Sequence, residues 1–215
     1  MRVVKNLSQQ NIVSKWSTPL SNYACAMRPV AAIVVTKIAG FEKLAENDQE
    51  ACLLTLTKSH SLQQYYADQY GCTRMIRMGE MVLTAFNSVD RAVKCALKIE
   101  RSARKMFNHK LCIGIHMGEV RYVNGDLFGG PVNIAHDILN VAKPGEVLLS
   151  EAAARNIGNV NYQIEAYGTS GPMAIPTFKL RNRTDHQVFP IWNYQGNHQR
   201  DLTDKDEIPR MDYGS

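Results

Sequence analysis

One stretch limits the fold more than any other: residues 111–152, LCIGIHMGEVRYVNGDLFGGPVNIAHDILNVAKPGEVLLSEA. Cys112, Ile113 and Ile115 form a short apolar run among glycines, which suits a buried strand. A loop rich in Gly and Asn occupies 122–130. Beyond it Val132, Ile134, Ala135, Ile138, Leu139 and Val141 recur at helical spacing, until Lys143-Pro144-Gly145 breaks the helix and turns the chain into a strand at 147–149. Strand, glycine loop, helix and strand make a cradle for a small molecule, but periodicity names no ligand.

The residues upstream supply the partners of that cradle. Arg28-Pro29 opens a run of β-branched and small residues at 30–36, which reads as a central buried strand. Gly40 and a short helix at 41–46 follow. Asn47 with Glu50 has the spacing of a capping box and starts a longer helix that runs to about residue 70 and stops at Gly71. Strands at 73–78 and 81–86 meet through Gly79-Glu80 as a hairpin. A helix at 88–106 and the strand at 111–116 complete a βααβ-βαβ order, that of a ferredoxin-like α/β sandwich with an antiparallel-rich sheet flanked by helices. Segments 162–164, 177–180 and 187–191 read as closing strands.

Composition bounds the rest. With 215 residues and 45% apolar content the chain suits one globular domain with extensions. We divide it into an N-terminal arm (1–27), a domain (28–192) and a polar C-terminal tail (193–215). No apolar run reaches the ~18–20 residues that span a bilayer, and the first ten residues lack the apolar core of a secretory signal. Cys25, Cys52, Cys72, Cys95 and Cys112 are scattered and odd in number, which reads as free thiols of a reducing, cytoplasmic compartment. The six histidines show no spacing diagnostic of zinc.

The net charge of +5 is unevenly spread: residues 1–41 hold five cations and no acid. On a helical wheel Val3, Val4 and Leu7 fall opposite Ile12, Val13 and Trp16, so the arm has no single apolar face to lay on a membrane. A second basic feature is the stripe Arg91, Lys94, Lys98, Arg101 and Lys105 on the helix at 88–106. Clustered cations supply nonspecific phosphate affinity, but no aromatic stacking platform accompanies this stripe in the sequence. It reads as a solvated helix face rather than a nucleic-acid surface.

Six motifs in continuous order carry a family resemblance. RPVAAIVVTKIAGFEKLAEN, RMIRMGEMVLTAF, SVDRAVKCALKIERSA, IGIHMGEV, GDLFGGPVNIA and KPGEVLLSEA resemble the catalytic domain of class III nucleotidyl (adenylate/guanylate) cyclases. The likeness covers about residues 28–154, and more weakly reaches about 191. It implies a site between two subunits packed head to tail. There two carboxylates hold magnesium, while the partner supplies a Lys and an Asp to the purine, an Asn to the ribose and an Arg to the transferring phosphate.

Carried over position by position, much of that set is changed. The first metal carboxylate falls on Lys37 and the second on Glu80; the purine Lys falls on Ile76 and the transition-state Arg on Asp137. Asp126 and Asn133 match the purine Asp and the ribose Asn. Ile38, Gly40 and Phe41 keep the turn whose amides cradle phosphate in the family. One missing electrostatic stabiliser costs ~10²–10³ in rate, and here three charged roles are altered.

The expectation is therefore a degenerate member, a catalytically inactive cyclase-like domain acting as a dimeric binding or regulatory module in signalling. It would need no cofactor, form a head-to-tail homodimer, and bind a protein partner or, weakly, a purine nucleotide at Ile38, Gly40, Phe41, Asp126 and Asn133. Lys37 would pair with Glu80 in place of the metal. The alternatives are a divergent active cyclase, with magnesium or manganese on Glu80, and a basic nucleic-acid-associated protein.

Overall fold

In the computed structural model of the chain, residues 29–123, 126–158 and 161–182 are described. The arm, the tail and the expected strand at 187–191 lie outside them. The first half runs β1 (Val30–Ile38), α1 (Phe41–Asn47), α2 (Gln49–Gln69), β2 (Arg74–Met78), β3 (Met81–Phe86), α3 (Val89–Phe107) and β4 (Leu111–Glu119). The second runs β5 (Arg121–Val123), β6 (Asp126–Phe128), α4 (Gly130–Val141), β7 (Val147–Ser150), α5 (Glu151–Ala154), β8 (Tyr162–Ser170) and β9 (Ile175–Asn182).

Among the described residues seven strands form one sheet in the order β2-β3-β1-β4-β7-β9-β8. Every neighbouring pair in it is antiparallel except β4–β7, whose connection passes through α4. The fold is the antiparallel-rich α/β sandwich that the motif order predicts. No helix among the described residues is long and apolar enough to cross a membrane.

Two cores follow from the alternation of β1, where successive side chains leave opposite faces of the sheet. Ala32, Val34 and Ile38 pack with Leu62 of α2 and Ala92, Val93, Ala96 and Ile99 of α3. Ala31, Ile33 and Val35 pack with Leu83 of β3 and Ala135 and Leu139 of α4. A β1 strand apolar on both faces thus needs helices on both sides, and each fully buried Val, Leu or Ile contributes roughly 1.5–3 kcal/mol of transfer free energy. The buried polar residue of β1 is Thr36, which donates to Gln63 Oε1 at 2.5 Å, while Gln63 in turn donates to Ser59 Oγ at 3.0 Å.

Glycine sets how closely α4 lies on β4. A Cβ at Gly114 would stand 2.5 Å from the Leu139 amide nitrogen and 3.0 Å from its Cα, and one at Gly118 would stand 2.6 Å from the Pro131 ring. The two positions are spaced to face the same helix, so the apolar run punctuated by glycine is a docking track for α4.

Local differences from the sequence expectation have identifiable causes. The cap of α2 is Asp48, not Asn47: Asp48 is extended and its carboxylate accepts from the Ala51 amide at 2.9 Å. Asn47 still belongs to α1, and its side chain turns back to the Lys43 carbonyl. The segment read as a loop at 122–130 contains the short hairpin β5–β6, with Leu127 buried at its centre. The closing strands are longer than their apolar residues indicate, because β8 and β9 pair with each other over most of their length and half of β8 faces solvent. Cys52, Cys72, Cys95 and Cys112 are free thiols; Cys25 lies outside the described residues.

Candidate functional site

β1 ends where the β2–β3 turn and α1 converge, and this corner holds the first group of predicted residues. Lys37 stands opposite Met81 of β3 and Cys112 of β4 in the ladder, which puts Glu80 beside it. The Ile38 amide donates to the Glu80 carbonyl at 3.4 Å, fastening the turn to the strand end. Gly40 then takes a left-handed conformation, φ +73°, that starts α1 directly after the strand. That reversal brings the first turn of α1 back over Lys37.

The consequence is an ion triad rather than the expected pair. Lys37 Nζ donates to Glu42 Oε1 at 3.0 Å and lies 3.8 Å from Glu80 Oε1. The closer partner, Glu42, is one the sequence reading missed; its signal was a carboxylate in the first turn of a helix entered through a glycine. The Glu42 hydrogen bond raises the Lys37 ammonium above its ordinary range against an opposing desolvation, and the Glu80 charge adds to the rise. Lys37 also sits beside Cys112, whose thiol is pushed up by burial and pulled down by the ammonium.

A cleft of about 280 Å³ opens at this corner, lined by Lys37, Ile38, Gly40, Phe41, Cys112 and Asn140 among others. Its floor is the end of β1 and the start of β4 and its far wall the C-terminal end of α4. The cleft does not suit a divalent cation. An ammonium already lies between its two nearest carboxylates, and among the described residues no three His, Cys, Asp or Glu side chains gather as a metal would require.

The remaining predicted residues form a separate group. Ile76 of β2 stands opposite Leu83 and packs half-buried against the α4-side core. Asn133 and Asp137 lie one turn apart on α4, Asn133 exposed and Asp137 half-buried. Asp137 is lodged at the β8–β9 turn, where a Cβ on Gly171 (φ +66°) would collide with its carboxylate. Asp126 begins β6 opposite Val123; its side chain is outside what is described. Ile76, Asn133 and Asp137 do not line the Lys37 cleft. One chain therefore brings together Lys37, Ile38, Gly40, Phe41 and Glu80, and holds Ile76, Asn133 and Asp137 apart from them.

Of the histidines, His116 is the most enclosed. It is 8% exposed in β4, on the α4 side of the sheet, and its Nδ1 is 2.8 Å from Ser150 Oγ. Burial drives its imidazolium down to about 4, so at neutral pH it is an uncharged structural ring.

The family model described as the adenylate and guanylate cyclase catalytic domain matches residues 26–181. A curated protein of Rhizobium meliloti (strain 1021), provisionally named adenylate cyclase 3, is 29% identical over 133 residues, 58% of this chain and 22% of that protein. The chain thus spans about a fifth of that relative's length. The adenylyl cyclase CyaB from P. aeruginosa has a similar fold, with a TM-score of 0.66 and 18% identity over 71% of this chain and 94% of that one. So does the guanylate cyclase domain of RhGC from Catenaria anguillulae, solved with GTP, with a TM-score of 0.65 and 19% identity over 73% and 98%. A guanylyl cyclase domain from Blastocladiella emersonii, described as dimeric, gives a TM-score of 0.64 at 16% identity over 72% and 97%.

Proposed function

The chain belongs to the family of adenylate and guanylate cyclase catalytic domains, and from that premise we propose that it is a member without cyclase chemistry, working as a dimeric regulatory or binding module. The observation that carries this reading is the Lys37 ammonium between Glu42 and Glu80. A cation tethered to the protein meets the charge of the carboxylates that a divalent metal would otherwise neutralise. It does so without an open coordination position to polarise a hydroxyl or a phosphate. Asp137, in the place of the family's phosphate-stabilising arginine, has the wrong sign for that role, and Ile76 donates nothing to a purine.

The retained elements support binding without turnover. The Gly40 turn with Ile38 and Phe41, together with Asn133 and Asp126, leaves part of a purine-nucleotide cleft. β6 and the first half of α4 come from GDLFGGPVNIA, a motif that keeps the family pattern better than the catalytic positions do, and with β5 they supply a face for a second copy arranged head to tail. Tyr122 and Phe128 on the β5–β6 hairpin are exposed, at 42% and 52%. A compartment that keeps the cysteines reduced fits four free thiols.

Two measurements test the reading. Purified chain incubated with ATP or GTP and magnesium or manganese is expected to yield no cyclic nucleotide, and sedimentation at micromolar concentration is expected to show a dimer. Metal-dependent cyclic product would establish instead the divergent cyclase, with Glu80 as a metal ligand, to which the name of the Rhizobium relative points.

A further inference from the structure

The second concentration of charge lies at the end of the sheet where α3 meets the start of β7 and the end of β9. A cleft of about 420 Å³ opens between α3 and the β7–β9 region, lined by Arg101 and Arg104 of α3, Lys179 and Arg181 of β9, and the acids Glu100 and Glu146. Both acids are already met from within: Arg104 donates to Glu100 at 2.6 Å and Lys179 to Glu146 at 2.6 Å. An adjoining crevice of about 110 Å³ shares Leu97, Glu100 and Arg101 with the first and adds Lys94, Lys98, Tyr70 and Tyr162. Among the described residues Lys94 and Arg101 have no ion-pair partner, and Arg181 reaches Glu165 only at 3.9 Å. Counting both cavities, six cations line the depression against two neutralised acids.

We propose that this depression is a second ligand site, distinct from the Lys37 cleft, for a nucleotide-class anion. Phosphates would lie against Arg101, which lines both cavities, with the base in the crevice beside Tyr70 and Tyr162. The volume falls in the range of small-molecule sites, roughly 300–1,000 Å³. Guanidinium groups give charge-assisted, bidentate contacts to phosphate oxygens, and a tyrosine face stacks any base. The sequence supplied the basic stripe but no aromatic platform. The fold supplies the platform by bringing the end of α2 and the start of β8, 92 residues apart in the chain from Tyr70 to Tyr162, to the same helix. A single nucleotide fits better than a strand, because a strand occupies roughly four or more nucleotides of successive stacking positions and the depression offers one crevice among the described residues.

The test uses the full-length chain, ¹⁵N-labelled, titrated without metal with ATP and with inorganic tripolyphosphate. Both are expected to bind, ATP more tightly, with amide shifts centred on residues 94–104 and 179–181. Arg101→Glu is expected to weaken both by about tenfold or more, since one charge-assisted contact becomes a repulsion. Lys94→Glu is the second charge variant, and both lie on an exposed helix face where the fold survives; a melting curve confirms that. Tyr162→Leu is expected to weaken ATP selectively. Shifts confined to residues 37–43, or affinities unchanged in both charge variants, would overturn the site. A single-stranded oligothymidylate binding far more tightly than ATP would replace it with a nucleic-acid surface.

Discussion

Replacing Lys37 by Asp turns the ion triad into a cation site, and its size can be worked out. Lys37 Nζ lies 3.0 Å from Glu42 and 3.8 Å from Glu80. At an effective dielectric of about 20 those separations correspond to roughly 5 and 4 kcal/mol of gross attraction. The Lys37 side chain is 34% exposed and Glu42 77%, so solvent screening reduces the net contribution to about 1 kcal/mol. Lys37→Asp removes that contribution and sets three carboxylates around one point, so the metal-free variant melts below the wild type. Magnesium or manganese then acts as a ligand of the native state alone. At a hundredfold excess over its dissociation constant it adds about 2.7 kcal/mol, or about 5–10 °C for a chain of this size. Differential scanning fluorimetry at matched ionic strength reads the shift, and the wild type is expected to move by less than about 1 °C. A wild type stabilised as much as the variant, or a variant that ignores both metals, would refute the assignment of the ammonium to the cation's place.

Three further outcomes follow from distances and burial. A double-mutant cycle of Lys37→Ala with Glu42→Ala is expected to give coupling of about 0.3–1 kcal/mol, and a smaller value with Glu80→Ala, because the first contact is shorter and hydrogen-bonded; chemical denaturation measures both. Gly114→Ala would press a methyl group into the α4 backbone and is expected to cost ~1–3 kcal/mol in the same assay while raising exposure of the helix to proteolysis. His116 is held neutral in the fold at about 4 against an ordinary value of 6.5. Its contribution is complete above pH 6.5 and is lost as the pH falls towards 4, by up to ~1.4 kcal/mol per unit. His116→Gln is expected to flatten that acid limb of a melting-temperature profile.

The sequence was most informative where local chemistry and long-range packing coincide. The 30–36 run is apolar on both faces, so it had to be central, and the Gly79-Glu80 pair between two apolar runs could only be a turn. The nearness of Lys37 to Glu80 came through the family resemblance and depends on hairpin register that the motif itself carries. Glu42 was not legible in the same way, since its approach to Lys37 depends on one backbone angle at Gly40. Cys112 and Asn140 reach the cleft through the β1–β4 register and the length of α4, neither of which a side-chain pattern specifies. Asp137 against Gly171 spans 34 positions and is decided by how far the β8–β9 hairpin folds over α4. Capping was misassigned by one residue because Asn47 and Asp48 are both good caps, and the end of α1 decides between them.

The two outer strands of the sheet govern how this chain can meet itself. β2 carries Arg74 and Arg77, with Arg77 tied to Gln64 of α2 at 3.0 Å. β8, at the opposite border, breaks its ladder between Ala166 and Gly168. Cationic side chains and a bulge are the devices that stop free backbone amides from recruiting another strand. Continuous sheets across molecules, and the fibrous aggregation they lead to, are thereby disfavoured at both borders. Copies of the chain that associate are left with helix and hairpin surfaces, where contact is side chain on side chain and can be reversed.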